Sequence, residues 1–320
     1  MEKLKVAVVG AGFFGANHIR IVSQSDRAEL VAVVDANSAT AAAAAAPHGA
    51  RACTDHRELL GLADAAIVAV PTTAHAAVGC DLLAGGLDIL VEKPIAADRD
   101  AATRLVEAAQ ATGRILQVGH LERFNPAVLA LEAAATLPLF FEIHRLSEFS
   151  PRSLDIDVVL DLMIHDLDIV LSLARGKLEE IRASGISILS SKTDIANVRL
   201  QFDDGAVANL TASRVSLEKV RKLRVFQPGQ YLSVDYSRQD FVAVSVDQNR
   251  KISFGKAALA KAEPLQLQFH AFLDSVATRT APKVDGGVAL RTLDLALRIV
   301  DKIEEHAAIV ARSIANECRP

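Results

Sequence analysis

Asp161 and His165 stand four residues apart inside "VVLDLMIHDLDIV", residues 158–170, which is otherwise almost wholly apolar save for Asp166 and Asp168. Burying an unpartnered charge is costly, so these groups need either internal partners or a wet cleft. On an α-helix, positions 161, 165 and 168 recur at i, i+4 and i+7 and share one face. The apolar surface on the other faces marks a buried helix. An imidazole on the polar face can accept or relay a hydroxyl proton. A carboxylate one turn away can fix its tautomer and orient a sugar hydroxyl. A structural His–Asp pair in a core or subunit contact is the plain alternative. Two ligands without a third nearby make a poor zinc site, so no metal is expected.

A second reactive group is Lys93 in "LVEKPI", between Glu92 and Pro94 at the end of a short apolar run. Open parallel sheets bind ligands outside the carboxyl ends of their strands. A lysine there can hold an alcohol oxygen by charge or carry its proton during hydride transfer. Pro94 stiffens the turn that aims it. The alternative is a solvated lysine at a strand edge.

Both groups need a hydride partner, and "VVGAGFFGANH" supplies the place for one. Gly10, Gly12 and Gly15 fall in G-x-G-x-x-G order, with Phe13 and Phe14 at the variable positions. The motif follows a strand pattern and opens a helix, and Asp35 ends the next strand 20 residues after Gly15. That context is the dinucleotide fingerprint. Gly12 lets the backbone approach the pyrophosphate, and the helix N-terminus offers its N–H groups. Asp35 accepts from ribose hydroxyls and repels a 2′-phosphate. No arginine follows in "ANS", so the expected cofactor is NAD rather than NADP.

Beyond the last strand of this region, "GHLERFNPAV" carries His120, Arg123 and Asn125, and Arg145 and Arg152 follow. Arginine suits bidentate contact with phosphate or carboxylate, which points to an anionic substrate. Pairing with Glu122, Glu142 or Glu148 is the alternative for each arginine.

The elements that position these groups come in two styles. Apolar runs at 4–10, 29–35, 65–70, 88–93 and 114–119 alternate with helical stretches at 14–24, 38–46, 55–62, 74–85 and 98–112, which predicts a doubly wound parallel sheet. After residue 120 come a helix at 125–135, a strand at 137–149 and a helix at 153–174. A run of strands follows, with a hairpin at Asp203-Asp204-Gly205, and two helices at 263–279 and 288–315 close the chain. The expected fold is α/β. A Rossmann domain over 1–120 precedes an α+β domain over 121–320 with an open, mostly antiparallel sheet.

Taken together, the glycine motif, Asp35, "VPTTAHAAVGCDLLAGGLDILVEKPIA" and Asp161 with His165 resemble the glucose–fructose oxidoreductase/inositol dehydrogenase family across essentially the whole chain. The resemblance implies that Thr72, His75 and Glu92 lie at the cofactor and that Lys93, His165 and Asp161 are catalytic. His75 reads equally as a helix N-terminal residue bonded to nearby backbone. Within the family, "GHLERFNPAV" with the later arginines and "DLMIHDLDI" is similar to the branch that oxidises the 3-hydroxyl of UDP-N-acetylglucosamine toward amino-sugar-modified lipid A precursors. In that reading His120, Arg123, Asn125 and Arg152 contact substrate. A dehydrogenase of a free polyol such as inositol, and a non-catalytic dinucleotide sensor, are the alternatives.

Bulk properties agree. A chain of 320 residues, 51% hydrophobic, suggests two domains. A net charge of -4 argues against nucleic acid as partner. No apolar run is long enough to span a membrane, and three scattered cysteines fit a reducing cytoplasm. The open sheet leads us to expect a homodimer or homotetramer.

Overall fold

A computed structural model describes residues 3–149 and 156–317. The chain forms two compact units, one of Met1–Leu121 with Glu263–Leu293, the other of Glu122–Ala262 with Asp294–Pro320.

The first unit runs β1 (Leu4–Val9), α1 (Phe13–Ser23), β2 (Ala28–Val34), α2 (Ser38–Ala45), β3 (Arg51–Cys53), β4 (Ala65–Val68), α3 (His75–Ala84), β5 (Asp88–Val91), α4 (Arg99–Thr112) and β6 (Leu116–Val118). Its six strands lie in the order β3-β2-β1-β4-β5-β6, all parallel. β1, β4 and β5 are almost wholly buried because helices cover both faces. This is the expected doubly wound sheet. The predicted helix at 55–62 is only a 3-10 turn, His56–Leu59, capped by Asp55.

The second unit holds α5 (Pro126–Ala134), β7 (Phe140–Leu146), a π-helical turn (Val159–Met163), α6 (Ile164–Leu173), β8 (Leu178–Ile186), β9 (Ile195–Phe202), β10 (Val207–Ser213), β11 (Val220–Gln227), β12 (Gln230–Asp235), β13 (Asp240–Val246) and β14 (Ile252–Lys256). The sheet order is β14-β13-β12-β11-β7-β10-β9-β8. Only β7 and β10 pair in parallel; the other neighbours are antiparallel. Alternation sets its inner face. Ala196, Val198, Leu200 and Phe202 of β9 are buried, as are Leu223 and Val225 of β11. α5 and α6 pack on that face through Val128, Leu131, Leu167 and Val170.

Two helices close the chain, α7 (Pro264–Thr278) and α8 (Gly286–Glu317). Here the expected 121–320 domain is interrupted. α7 buries Phe269, Phe272 and Leu273 against Val6, Val8, Ile19 and Val33 of the first unit. A buried side-chain amide adds a tie, Gln117 Nε2 donating to the Gln268 carbonyl at 3.0 Å. Sequence order alone carries no signal for this return. Among the described residues, no helix is long and apolar enough to cross a membrane.

Candidate functional site

The cofactor end of the first unit is built by a turn that requires glycine. Gly10 has φ 95° at the end of β1, and a Cβ there would lie 2.6 Å from the Ala69 carbonyl oxygen. A Cβ on Gly15 would collide with the Gly10 carbonyl oxygen, whereas one on Gly12 would meet nothing within 4 Å. Open space therefore lies beside Gly12, the N-cap of α1, where a helix presents its unbonded N–H groups. Phe13 and Phe14 stand exposed in the first turn of α1, ring edge to ring face at 5.5 Å.

Asp35 follows β2 and accepts from Ala11 N and Asn37 N, each at 2.9 Å. These bonds fix its carboxylate beside the glycine turn and leave lone pairs for ribose hydroxyls. Asn37 in turn caps α2, accepting from Ala39 N and Thr40 N. Open space at Gly12, a helix N-terminus and a fixed carboxylate fit a dinucleotide without a 2′-phosphate.

Lys93 is half-buried just past β5, and its peptide to Pro94 is cis. Its neighbours are tied from both sides. Glu92 Oε1 accepts from His18 Nε2 at 2.7 Å, and its second oxygen accepts from Lys93 N at 3.2 Å. Burial pushes the Glu92 carboxyl up, but the His18 hydrogen bond and the His18 and Lys93 charges hold it below the usual carboxylate range. His75, buried at the start of α3, sets Nδ1 2.9 Å from the Pro94 carbonyl and Nε2 2.9 Å from the Val70 carbonyl. Burial lowers its pKa, against the pull of those carbonyls. The His75 ring thus sits between the carbonyls that follow β4 and β5, and in its neutral form donates to one of them. Thr72, in the 3-10 turn before α3, is half-buried.

His18 was not expected from sequence. It lies on α1 three residues past Gly15, 1% exposed, and its Nδ1 meets no partner among the described residues. Its only sequence signal is a position one turn inside the dinucleotide helix. His120, directly after β6, is also buried.

In the second unit the acidic segment is not one α-helix. A π turn over Val159–Met163 leads into α6, and the carboxylates have separate fates. Asp166 is buried and accepts from Arg145 Nε and Nη2 at 2.6 and 2.8 Å, and from the Tyr236 hydroxyl at 3.1 Å. Burial pulls the Arg145 guanidinium down, yet Asp166 and Glu122 raise it well above its ordinary value. Asp168 is buried against Arg123 Nη1 at 3.5 Å, so it leaves the expected polar stripe. Asp161 and His165 remain half-buried.

The structure places the predicted substrate contacts as follows. Arg123 is buried and its Nε also donates to Glu132 at 3.0 Å. It lines a hollow of about 360 Å³ beside Ser172 and Arg175, at the carboxyl end of α6 and away from His165. Asn125 caps α5 through Ala127 N and donates to Glu122 and to the Tyr236 carbonyl. Both hold the frame of the unit. Arg152 lies outside the described residues.

A further arginine, Arg221, went unnoticed in the sequence. It occupies β11 across from Arg145 in β7. Its signal was an arginine in the same alternating row as Leu223 and Val225.

Comparison with known proteins adds the following. Residues 4–120 match the oxidoreductase family with an NAD-binding Rossmann fold, and residues 134–227 match the C-terminal domain of the Gfo/Idh/MocA proteins. The chain is 34% identical over 310 residues to the UDP-N-acetylglucosamine 3-dehydrogenase of Acidithiobacillus ferrooxidans, covering 95% of this chain and 98% of that one. The solved structure of that enzyme superposes with a TM-score of 0.90, over 96% of this chain and 99% of the other. Inositol 2-dehydrogenase of Corynebacterium glutamicum (strain R) is 33% identical over 192 residues, 56% of this chain and 57% of its own.

Proposed function

Because this chain belongs to the Gfo/Idh/MocA family of NAD-binding oxidoreductases, we propose that it oxidises a hydroxyl of a nucleotide sugar, namely the 3-hydroxyl of UDP-N-acetylglucosamine. One observation carries the choice of substrate. The likeness to the nucleotide-sugar enzyme extends over 95% of the chain, whereas the inositol enzyme matches 56%.

The bound nicotinamide supplies the hydride acceptor. Gly10, Gly12 and Gly15 admit the pyrophosphate, Phe13 and Phe14 flank it, and Asp35 holds the adenosine ribose. Thr72, His75 and Glu92 complete the cofactor side. His75 and Glu92 act by fixing the turn that carries Lys93. Lys93 holds the reacting oxygen and takes its proton, His165 relays that proton, and Asp161 orients the imidazole. His120, Arg123, Asn125 and Arg152 are the proposed contacts for the nucleotide sugar. The reaction is placed in the cytoplasm, and its 3-keto product suits an aminotransferase on the way to amino-sugar-modified lipid A precursors. The working form is a homodimer or homotetramer joined through the open sheet.

The test is NADH absorbance with purified protein and a panel of UDP-N-acetylglucosamine, UDP-glucose and myo-inositol. We expect NAD reduction with UDP-N-acetylglucosamine and a kcat/KM at least about tenfold lower with the others. Turnover of inositol with none of the UDP-sugars would overturn the proposal. Lys93→Met should lower kcat by about 10²–10⁴ while NADH still binds. An unchanged rate would remove the lysine from the chemistry.

A further inference from the structure

We propose that Arg221 reads a neutral acceptor oxygen of the substrate, the acetamido carbonyl beside the reacting hydroxyl. This rests on the substrate reading above. Three observations within the second unit lead to it.

First, Arg221 lies on the inner row of β11. It shares that row with Leu223 and Val225, both fully buried, and its register partner is Arg145. Its side chain retains 33% exposure.

Second, its donors make no hydrogen bond among the described residues. Its Nε is hidden from solvent and has no hydrogen-bond partner. The nearest carboxylate oxygen, Glu122 Oε1, is 4.0 Å from Nη1, beyond hydrogen-bond range. Glu122 already accepts from Arg145 at 3.2 Å and from Asn125 at 3.2 Å. The other buried arginines are engaged, Arg145 with Asp166 and Arg123 with Glu132. A guanidinium has five N–H donors and no acceptor, so a partly desolvated one whose Nε is unbonded and whose ion-pair partner lies 4.0 Å away has donors left for an acceptor from outside the chain.

Third, the surrounding charges select the kind of acceptor. Burial and the positive charge of Arg145 lower the Arg221 pKa, while Glu122, Asp166 and Asp161 pull it back up. A phosphate placed here would face three carboxylates and be repelled. An uncharged carbonyl or hydroxyl oxygen meets no such penalty. Asp161, one of the three, is the group to which the proposed function gives the orienting of the His165 imidazole. In UDP-N-acetylglucosamine the strongest neutral acceptor next to the 3-hydroxyl is the 2-acetamido carbonyl. The arginine would then discriminate an N-acetylated sugar from its hydroxyl counterpart, leaving the diphosphate to other residues.

The experiment compares Arg221→Ala and Arg221→Lys with the unaltered enzyme, using UDP-N-acetylglucosamine and UDP-glucose, with thermal melting and NADH binding as controls for folding. We expect Arg221→Ala to raise KM for UDP-N-acetylglucosamine by about 10–100-fold, with UDP-glucose changed less than about threefold. Arg221→Lys should restore part of the loss. An equal loss with both sugars, or no loss, overturns the proposal. If Arg221→Ala melts early, the Arg221→Lys comparison decides, because a lysine that leaves the preference between the two sugars unchanged also overturns it. An unaltered enzyme that leaves UDP-N-acetylglucosamine untouched fails the substrate reading itself, a result distinct from an active enzyme whose variants are unimpaired.

Discussion

At the scale of residues, the carboxylates of one apolar segment separate by partner. Asp166 belongs to a buried cluster with Arg145, Tyr236 and Glu122, and the Arg145 guanidinium stacks 4.9 Å over the Tyr236 ring. Removing one member of such a pair leaves the other charge buried and unmatched. Asp166→Asn is expected to reduce stability by about 3–5 kcal/mol, measured by urea unfolding. Asp161→Asn, at a half-buried position, should leave the unfolding midpoint nearly unchanged and lower kcat by about 10²–10⁴ with little change in NAD binding. The reverse pattern would exchange the two roles. Sequence spacing could single out Asp161 and His165 as a pair because i, i+4 is a local relation. It could not assign Asp166 to Arg145, 21 residues away on β7, since that pairing is made by the tertiary fold. The same reason hides the bonds of Arg123 to Glu132 and of Asn125 to Glu122 from the sequence. Polar residues after a Rossmann strand look alike in sequence whether they face a ligand or Glu122 and Glu132.

At the scale of elements, the glycine turn separates two uses of the same residue type. Gly15 is needed because backbone approaches backbone, and Gly12 has open space around it. Gly15→Ala should therefore destabilise the first unit by about 1–3 kcal/mol. Gly12→Ala should cost less, about 0.5–1 kcal/mol, since only the N-cap preference of Gly over Ala is lost. It should nonetheless weaken NADH binding at least about tenfold, measured by fluorescence titration. A Gly12→Ala protein that binds NADH normally would move the pyrophosphate elsewhere. This motif was legible because turn, helix start and following carboxylate lie within 26 residues, Gly10 to Asp35. Five of the six strands of the first sheet were equally legible as buried apolar runs. The π turn at Val159–Met163 was not, because its residues carry the same apolar pattern as an α-helix. β3, three residues long, was too short to show a period.

At the scale of the whole molecule, the outer face of the second sheet is the face we propose for assembly. Phe140 and Phe226 lie 5.8 Å apart between ring centres, and Tyr231 lies 5.1 Å from Phe226. Beside them run the Glu142–Arg224 ion pair at 2.8 Å and the Asn197–Thr211 and Arg199–Asn209 hydrogen bonds. These side chains occupy the row opposite the buried one, with intermediate or high exposure. Aromatics and arginine among polar groups have the composition of an interface between folded copies rather than of a core. Size agrees. Eight strands spaced about 4.8 Å and roughly seven residues long present roughly 900 Å², close to the ~800 Å² per partner of a stable contact. A twofold axis through such a face sets each patch against its own copy. We therefore expect a dimer or tetramer by sedimentation at micromolar protein, and a monomer for Phe226→Arg, which places like charges near the axis. The monomer should retain the NADH affinity of the unaltered protein, because the glycine turn and Asp35 belong to the other unit. A protein that sediments as a monomer before any substitution would show that the aromatic row serves some other contact.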